Sequence, residues 1–281
     1  MILSVIIPTF KNNIELSLLL HELKTYSKHI EIIVIDDDVN SSALSVCDSF
    51  SFVKYYLNKH NKGAGGARNF GLSLASGKYV TFIDSDDKIT DKFSVMLDDI
   101  TKETYDVFFY RPQAIMAGTN LTSKRALKYQ KLVDDYPKKS FELKLSWYVP
   151  WSKVILRKFL IKNNIFFEEV SHSNDVLFST KVGLLMKTYL VKKISFYIVT
   201  ENSRGLTKET TSNSIITRIK EVEKYNNYIS QSGYSNYMIT PYSLYIKLLK
   251  KPSFSNIFFI IKFLFSSKTP LIDKRIFNFL K

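Results

Sequence analysis

Three carboxylates that follow one apolar run are the first residues whose types and spacing could do chemistry. Asp84, Asp86 and Asp87, with Ser85 between them, come directly after Tyr79–Ile83, a run typical of a buried strand. Carboxylates crowded at a strand end repel one another unless a cation joins them. Mg²⁺ and Mn²⁺ prefer oxygen ligands, often completed by substrate phosphates and water, so the pattern predicts a divalent-metal site. The alternative is a helix N-cap, which needs one Asp rather than three.

A glycine-rich stretch, Asn61–Gly71, carries a second candidate group, Arg68. Small residues that lead into a helix let its first backbone amides approach an anion, and an arginine there can hold phosphate with two donors. The stretch matches neither the Walker phosphate loop nor the dinucleotide fingerprint, which has glycine at the position of Arg68. A tight turn with a surface arginine explains the residues equally well, so both interpretations stay open.

The elements that must position these residues alternate regularly along the first third of the chain. Strand-helix alternation predicts a mainly parallel sheet flanked by helices, and in such sheets ligands bind beyond the carboxyl ends of the strands. Those ends carry Pro8-Thr9-Phe10, Asp36-Asp37-Asp38 and the acids after Ile83. The predicted strands are Ile2–Ile7, Glu31–Ile35, Phe52–Leu57 and Tyr79–Ile83, and the predicted helices are 14–26 with Asn12 or Asn13 as N-cap, Ser41–Phe50, and Gly66–Ser76 with Gly77 as its stop.

Composition bounds the class of protein. A chain of 281 residues with 45% hydrophobic and 23% charged residues is globular rather than collagen-like, coiled-coil or disordered. One cysteine and four scattered histidines exclude an internal disulfide and disfavour a Cys- or His-based metal cluster. The net charge of +14 favours a polyanionic partner, although compositional bias explains it about as well. No apolar run reaches the ~18 residues of a membrane span and no signal peptide is visible, so we expect a cytoplasmic protein.

An ordered series of motifs resembles a known family. The residues that carry the likeness are Ser4–Phe10, Ile33–Asp37, Asn61–Gly71, Gly77–Asp87, Trp151–Val154, Phe159-Leu160 and Asn174–Phe178. In this order they resemble the inverting nucleotide-diphospho-sugar glycosyltransferases of the GT-A fold, in the large bacterial group called family 2. The resemblance covers roughly Met1 to Arg204. It implies an α/β, Rossmann-like domain with a nucleotide-sugar-binding half (1–100) and an acceptor-binding half (101–205), followed by a basic, aromatic helical tail (206–281).

The resemblance also implies roles for particular residues. Asp175 would be the general base that takes the acceptor hydroxyl proton, and a helix N-cap before Val176 is its alternative. Asp84 and Asp86 would form a DxD motif, with Asp86 on Mn²⁺ or Mg²⁺ and Asp84 on the ribose or the metal's water shell. The other donor contacts would be Pro8, Thr9 and Phe10 around the nucleobase, Asp36 or Asp37 on uracil N–H, Arg68 on the ribose or diphosphate, Ser85 within the DxD motif, and Arg204 on the diphosphate.

Two departures from the family pattern affect the site. Where the family usually has Asp-Asp-Gly, this chain has Asp36-Asp37-Asp38, which moves any left-handed turn residue to Asp38 or Asn40. The residue before the predicted base is Asn174 rather than an acid, so it would not raise the pKa of Asp175 by charge repulsion. His172 is expected to be an ordinary loop histidine.

The tail has the composition of a membrane-surface segment. Leu244–Lys251 and Phe254–Phe265 mix bulky apolar side chains with lysines, and residues 241–281 hold eight basic residues against one acid. A lysine near anionic lipid contributes ~1 kcal/mol to binding. The alternative is that these helices pack on the catalytic domain or on a partner subunit. We favour surface association, because a lipid-linked acceptor would lie there, and we expect a peripheral position on the inner face of the cell membrane.

The sequence therefore predicts a metal-dependent inverting glycosyltransferase. It would move a hexosyl or N-acetylhexosaminyl group from a nucleotide-diphospho-sugar, with UDP expected, to a glycan or lipid-linked hydroxyl in capsule or lipopolysaccharide synthesis. A degenerate, non-catalytic relative that serves as a binding or partner subunit is the alternative, which Asp84, Asp86 and Asp175 disfavour. A nucleic-acid-binding protein would need basic and aromatic residues on one recognition element, and none is visible. A nucleotidyltransferase would need a glycine-rich signature where Pro8 stands.

Overall fold

The structure, a computed structural model, describes residues 1–59, 63–202 and 210–266. It consists of a seven-stranded sheet flanked by helices, a small three-stranded sheet and a C-terminal group of helices. The strands are β1 Leu3–Thr9, β2 Ile30–Asp36, β3 Val53–Leu57, β4 Tyr79–Phe82, β5 Lys88–Ile89, β6 Val107–Tyr110, β7 Gln113–Met116, β8 Lys153–Leu156, β9 Tyr189–Lys192 and β10 Tyr197–Glu201. The helices are α1 Asn13–Lys24, α2 Leu44–Asp48, α3 Ala64–Leu74, α4 Phe93–Lys102, α5 Leu127–Asp134, α6 Ser140–Ser146, α7 Arg157–Lys162, α8 Val176–Leu185, α9 Ser212–Gln231, α10 Tyr242–Leu249 and α11 Phe254–Ser266.

The large sheet has the order β3-β2-β1-β4-β8-β6-β9, and it is parallel except where β8 pairs with β4 and β6. Every residue of β1 and β2 is buried, because helices cover both faces of a parallel sheet, and both strands are accordingly rich in apolar residues. The predicted mainly parallel sheet is confirmed, and the first four strands lie within one or two residues of their predicted bounds. The small sheet has the order β5-β10-β7.

Strand β1 continues through Pro8, where the sequence predicts its end. The carbonyl of Thr9 accepts from Asp37 N at 2.9 Å on the β2 side, and that of Ile6 accepts from Ile83 N at 3.1 Å on the β4 side. Alternation along the strand points position 8 toward β4, past the last pair of that ladder. The missing N–H of proline therefore costs no ladder hydrogen bond, and β1 extends to the sheet edge.

The predicted N-cap position of the first helix is confirmed at Asn12, but the capping hydrogen bond is not formed. Asn12 occupies the N-cap position of α1, but its side chain caps no amide and instead donates to Ser85 Oγ at 3.2 Å. Asn13 donates to the carbonyl of Ser42 at 2.7 Å. Both amides thus tie α1 to neighbouring loops, at the same edge of the sheet as the acidic motif.

Two turn predictions are wrong. Helix α3 ends at Leu74, before Gly77, and Gly77 is needed for a close approach: a Cβ there would lie 2.6 Å from the backbone N of Ser4. After β2 the left-handed residue is Ser41, with φ of 54°, rather than Asp38 or Asn40. Asp38 is buried, and its carboxylate accepts from Asn40 N at 3.2 Å, so an Asx-type turn replaces the glycine turn.

The C-terminal helices form the predicted helical extension. Helix α9 packs against α8 and against α10, and α11 packs against α10. Among the described residues, no helix combines the length and apolar character that crossing a membrane requires. Two buried apolar clusters hold the extension, one of Ile215, Ile219, Tyr245, Leu248, Ile260 and Phe263, and one of Leu145, Tyr225, Ile229 and Met238.

Candidate active site

The end of β1 lies at the sheet edge beside the end of β2. Thr9 is buried, and its Oγ1 has no hydrogen-bond partner in the part of the chain that the structure describes. Phe10, which follows, is 54% exposed, with Lys11 Nζ 5.2 Å from its ring centroid. A buried hydroxyl without a partner and an exposed ring are groups that a planar, hydrogen-bonding ligand can use. Pro8 itself is buried in the strand.

Asp36 and Asp37 organise the backbone around this edge. Asp36 is fully buried, and its carboxylate accepts from the amides of Asp38 at 3.0 Å and Ala43 at 2.9 Å and from Tyr55 OH at 3.1 Å. The structure therefore gives Asp36 three partners within the protein, which hold the loop after β2.

Asp37 joins the end of β2 to the glycine-rich helix. Its carboxylate accepts from Asn58 Nδ2 at 2.9 Å and from Gly63 N at 2.6 Å. Gly63 is the N-cap of α3 and has φ of 98°, a backbone conformation that favours glycine. The residue that the sequence offers as a uracil contact thus fixes where α3 begins.

Arg68 is the central connection of the site. It is buried, and its Nη2 donates to Asp84 Oδ1 at 2.6 Å while its Nη1 donates to Asn174 Oδ1 at 3.0 Å. Its guanidinium lies 5.3 Å from the ring centroid of Phe167, and its Nε has no hydrogen-bond partner among the described residues. One side chain therefore joins the acidic strand end to the segment that carries the predicted base, and its buried Nε–H remains available to a ligand.

Helix α3 also fixes the loop between α7 and α8. Asn69 Oδ1 accepts from Phe167 N at 2.9 Å, and its Nδ2 donates to the carbonyl of Phe167 at 3.0 Å. Gly65 lies so close that a Cβ there would be 2.1 Å from the carbonyl oxygen of Glu168. The small residues at the start of α3, which the sequence offers as an anion site, thus let this loop pack on the helix.

Asp175 stands at the N-cap position of α8, but its side chain caps no amide of the helix. Burial raises the pKa of Asp175 above its usual range, and the charge of Asp84 adds to the rise, whereas Arg68 and Lys153 oppose it. A carboxylate with a raised pKa accepts a proton more readily near neutral pH. Asn174, the neutral neighbour, contributes by orienting Arg68 rather than by repulsion.

Lys153 is a buried cation near Asp175 to which the sequence assigned no role. Its Nζ donates to Ser179 Oγ at 2.9 Å, one turn into α8, where Ser179 N bonds to the carbonyl of Asp175 at 2.9 Å. Burial lowers the pKa of Lys153 to about 7, against the opposite effect of Asp175. A signal was present in the sequence, because this lysine directly precedes the apolar run Val154–Leu156 of a strand.

The acidic motif divides into different environments. Asp87 is buried, accepts from Tyr197 OH and from Thr200 N at 2.7 Å each, and so attaches the motif to β10. Asp86 accepts from Asn202 Nδ2 at 2.7 Å. Burial, with the nearby charge of Asp84, raises the pKa of Asp86 to about 6. Tyr197, Asn202 and Asn12 are partners that sequence reasoning missed, because they lie far along the chain from the residues they hold.

The carboxylates of Asp84 and Asp86 fit a divalent cation only if a bound ligand supplies further oxygen atoms to it. No group of three or more His, Cys, Asp or Glu side chains able to hold a metal occurs among the described residues. Asp86 accepts from Asn202 through one carboxylate oxygen, and Asp84 shares its charge with Arg68. One or two carboxylates completed by substrate phosphates are a common Mg²⁺ arrangement.

The remaining predicted residues are placed as follows. Ser85 is buried and accepts from Asn12. His172 is a buried residue of the α7–α8 loop and contacts Ser171 Oγ at 2.9 Å. Arg204, predicted on the diphosphate, lies outside the described residues. The structure thus brings Thr9, Arg68, Asp84, Asp86 and Asp175 to one edge of the sheet, while Asp36, Asp37 and Ser85 support the surrounding loops.

This sheet order, with acids at the carboxyl edge, defines the GT-A class of fold. The S. aureus protein TarS, residues 1–349, superposes with a TM-score of 0.65 at 20% identity, over 86% of this chain and 70% of that one. The TarS complex with UDP-GlcNAc gives a TM-score of 0.61 at 21% identity, over 79% and 66% of the two chains. At these identities the likeness shows the fold alone. The profile of glycosyl transferase family 2 matches residues 4–163, more than half of the chain, and the chain belongs to that family.

Curated relatives match over shorter stretches. The Campylobacter jejuni GalNAc(5)-diNAcBac-PP-undecaprenol beta-1,3-glucosyltransferase is 39% identical over 93 residues, 31% of this chain and 30% of its own length. Escherichia coli WfaP, a UDP-Glc:alpha-D-GlcNAc-diphosphoundecaprenol beta-1,3-glucosyltransferase, is 39% identical over 89 residues, 31% of this chain and 34% of its own. The uncharacterized Escherichia coli glycosyltransferase YibD is 28% identical over 196 residues, 64% of this chain and 55% of its own. The matches thus span between a third and about half of these relatives.

Proposed function

We propose that this chain is an inverting glycosyltransferase that moves a sugar from a UDP-sugar to a hydroxyl of a lipid-linked glycan, with Asp175 as the base. The observation that carries the proposal is the buried Arg68, which joins the acidic strand end to the segment of Asp175. One reacting centre can then lie between a donor side and an acceptor side, as in-line displacement requires.

Asp175 takes the proton from the acceptor hydroxyl as that oxygen attacks the anomeric carbon. A new carbon–oxygen bond forms on one face of the sugar while the bond to the diphosphate breaks on the other, so the anomeric configuration inverts. The raised pKa of Asp175 suits it to accept this proton. A positioned base of this kind is typically worth ~10²–10⁴ in rate.

The donor side is assigned to the end of β1 and to Arg68. Thr9 Oγ1 and Arg68 Nε are buried polar atoms without partners among the described residues, which a nucleotide can satisfy. Phe10 offers an exposed ring for the base. UDP is the proposed nucleotide because the name of WfaP gives UDP-Glc and the TarS complex holds UDP-GlcNAc.

Asp86, with Asp84, would hold Mn²⁺ or Mg²⁺ together with the donor. When bound, the divalent cation neutralises charge on the departing diphosphate. Neighbouring side chains fix the positions of these acids. Asn202 donates to Asp86. The hydroxyl of Tyr197 donates to Asp87 and accepts from the backbone amide of Asp84 at 3.1 Å.

The acceptor is proposed to be an undecaprenyl-diphosphate-linked glycan in the synthesis of a bacterial surface polysaccharide. Two of the relatives named above act, by their names, on undecaprenol-linked acceptors. Each match covers only about a third of the relative, so the sugar and the linkage are to be measured rather than transferred.

The first test is donor binding. Thermal shifts are measured with UDP-, GDP-, CMP- and dTDP-sugars, each with Mn²⁺ and with EDTA, since a ligand that binds only the folded state raises its stability. We expect a shift with UDP-sugars that depends on the metal and disappears in Asp86→Ala. Asp98→Ala, which removes an exposed carboxylate, is the control. If no nucleotide shifts the protein under any metal condition, the alternative of a non-catalytic relative is favoured.

The second test is transfer to a synthetic lipid-diphosphate-linked acceptor, with the product anomer read by NMR. Asp175→Asn should retain donor binding and lose transfer by ~10²–10⁴. The matched control is Asp91→Asn, an exposed acid away from the site. Unchanged turnover in Asp175→Asn would remove this residue as the base, and retention of configuration would overturn the inverting mechanism.

A further inference from the structure

The last two described helices expose a continuous series of large apolar side chains, here called the outer face. On α10 these residues are spaced i, i+4 and i+7, which places them along one stripe of the helix. On α11 they occupy the side opposite Asn256, Ile260 and Phe263, which are buried. The outer face consists of Tyr242, Ile246 and Leu249 on α10 and of Phe254, Ile257, Phe258, Ile261 and Leu264 on α11.

This face differs from ordinary surface. Phe254 is 88% exposed and Phe258 is 59% exposed. The opposite side of the same helix is already buried, because it packs in a cluster with Ile219 of α9 and Leu248 of α10. A helix that is apolar on both its inner and its outer side is typical of a helix that is covered on both sides. For α11 the protein covers the inner side, so we expect an apolar partner on the outer side. Exposed apolar groups concentrated in one place, rather than scattered, mark an interaction surface.

Charge identifies the kind of surface that would cover the outer face. Lys247, Lys250, Lys251 and Lys262 are exposed on the same two helices, and the sequence from Lys224 to Ile272 contains no Asp or Glu. Lysine can place its alkyl stem on apolar surroundings and its ammonium at the headgroup level. A second copy that docked through the same two helices would bring lysines against lysines with no acid between them, whereas an anionic bilayer is complementary in both respects.

The outer face is firmly connected to the site. Helix α9 packs between α8, which begins after Asp175, and α10. Lys224 of α9 lies 2.5 Å from Glu168 and 2.9 Å from Glu221, so it also holds the loop that precedes the base. The extension is therefore in direct packing contact, and in an ion pair, with the segments that lead to and follow Asp175.

We propose that the outer face of α10 and α11 docks on an anionic lipid bilayer, with its apolar side chains at the acyl boundary and its lysines among the headgroups. Docking would bring the enzyme to the surface on which a lipid-linked acceptor lies. The docking step does not depend on the proposed reaction; only its benefit, access to a lipid-linked acceptor, rests on the proposed function.

The test is sedimentation of the full chain with vesicles, in the absence of donor, acceptor and metal. Vesicles of phosphatidylcholine alone are compared with vesicles that also contain phosphatidylglycerol. We expect binding to the anionic vesicles that weakens with salt. The double substitution Ile257→Ser with Ile261→Ser should reduce the partition coefficient by about tenfold or more, since it removes two inserting side chains.

A matched control tests whether any exposed apolar pair would do. Ile14→Ser with Leu18→Ser removes side chains of the same kind, also four residues apart on a helix, at 75% and 55% exposure on α1. These substitutions should leave vesicle binding unchanged. Likewise, Lys250→Gln with Lys251→Gln should weaken binding about tenfold at low salt, whereas Lys158→Gln with Lys162→Gln on α7 should not.

The outcomes separate this inference from its rivals. Absence of binding to anionic vesicles, or equal loss in the α1 control, overturns it. Loss of a dimer in Ile257→Ser with Ile261→Ser, measured by sedimentation velocity, with vesicle binding unchanged assigns the face to a second copy and overturns it as well. If vesicle binding behaves as expected while no sugar is transferred, the docking face stands and the proposed function fails.

Discussion

Arg68 is a buried guanidinium whose two hydrogen-bond acceptors come from separate segments of the chain. The sequence marks Arg68 as an anion ligand, and the structure places it in hydrogen bonds to Asp84 and Asn174, residues that are separated from it by 16 and 106 positions. Burial of a guanidinium is tolerated because two partners and the Phe167 ring surround it. The acids and the arginine could be found from their types, whereas Tyr197 and Asn202 could not, because nothing local marks a residue whose partner lies more than a hundred positions away.

The buried Lys153 should control the pH dependence of the reaction. Its charge lowers the pKa of Asp175, which burial raises. Lys153→Met removes that charge, so the pKa of Asp175 should rise further and the acid limb of kcat/KM should move to higher pH. The shift is expected to be on the order of one pH unit, with activity on the alkaline plateau little changed. The measurement is the pH profile of transfer.

Lys158→Met, which alters an exposed lysine of α7, is the control for this profile. An acid limb that stays in place in Lys153→Met would show that the ammonium does not act on the base. A uniform loss at every pH would instead assign Lys153 to packing beneath α8.

At the scale of elements, strands were predicted better than helix caps. A strand buried on both faces is mostly apolar rather than alternating, so β1, β2 and β4 are visible as nearly continuous apolar runs. The bounds of α1 and α3 lie within two residues of the predicted ones, but Asn12 and Gly77, predicted to cap these helices, make contacts with other segments instead. The β5-β10-β7 sheet went unpredicted, since its strands have two to five residues and come from distant parts of the chain.

The close contact between α3 and the α7–α8 loop should be sensitive to one methyl group. A Cβ at position 65 would lie 2.1 Å from the backbone oxygen of Glu168, which cannot move without the loop. Gly65→Ala should therefore displace the segment of Asp175 and lower kcat by about 10²-fold, while destabilising the fold by about 1–3 kcal/mol. Ser73→Ala, on the exposed side of the same helix, should change neither quantity. Wild-type kcat in Gly65→Ala would contradict this positioning.

Glu31 connects the first three strands near the start of β2, at the edge of the sheet opposite to the candidate active site. Burial alone would raise the pKa of Glu31, yet hydrogen bonds from Lys54, Ser4 and Ser76 lower it to about 2. The folded pKa lies below the unfolded value of 4.5, so this stabilisation is present above about pH 4.5 and is lost as the pH falls toward 2. At pH 7, Glu31→Gln should lower the free energy of unfolding by about 2–3 kcal/mol.

Urea denaturation at several pH values measures this effect. The difference between wild type and Glu31→Gln should shrink as the pH falls below about 4.5, because the carboxyl group of the unfolded wild type then takes up a proton while the folded state must give up its ionised form only near pH 2. A difference that is independent of pH would assign the loss to packing. Asp98→Asn, an exposed acid with one distant ion pair, should show no comparable effect.

On the scale of the whole molecule, the extension belongs to the folded unit rather than following it as a separate piece. Its composition predicts helices. Which side of each helix packs depends on the contact between α9 and α8, which the composition does not reveal. Tyr225 is buried in a cluster with Leu145 of α6 and Ile229 of α9. The cluster therefore joins the catalytic domain to the helices that carry the outer face.

Tyr225→Ala should accordingly lower the stability of the entire chain. Loss of a buried aromatic ring costs about 3–5 kcal/mol, and since the cluster is shared, calorimetry should show one transition at a lower Tm. Tyr242→Ala, at a position 62% exposed on α10, should leave the Tm in place. Two separate transitions in the wild type or the variant would mean that the extension folds independently.

Helix α3 contacts both halves of the site through residues on one short stretch. Gly65 and Asn69 fit the loop that leads to Asp175, while Arg68 reaches Asp84. A hybrid enzyme that takes its acceptor half from a relative would therefore combine this helix with a foreign loop. Such hybrids should fold and catalyse transfer only when residues 64–74 and 163–175 come from the same parent. A chimera made to change the acceptor should therefore not be joined at the midpoint of the chain.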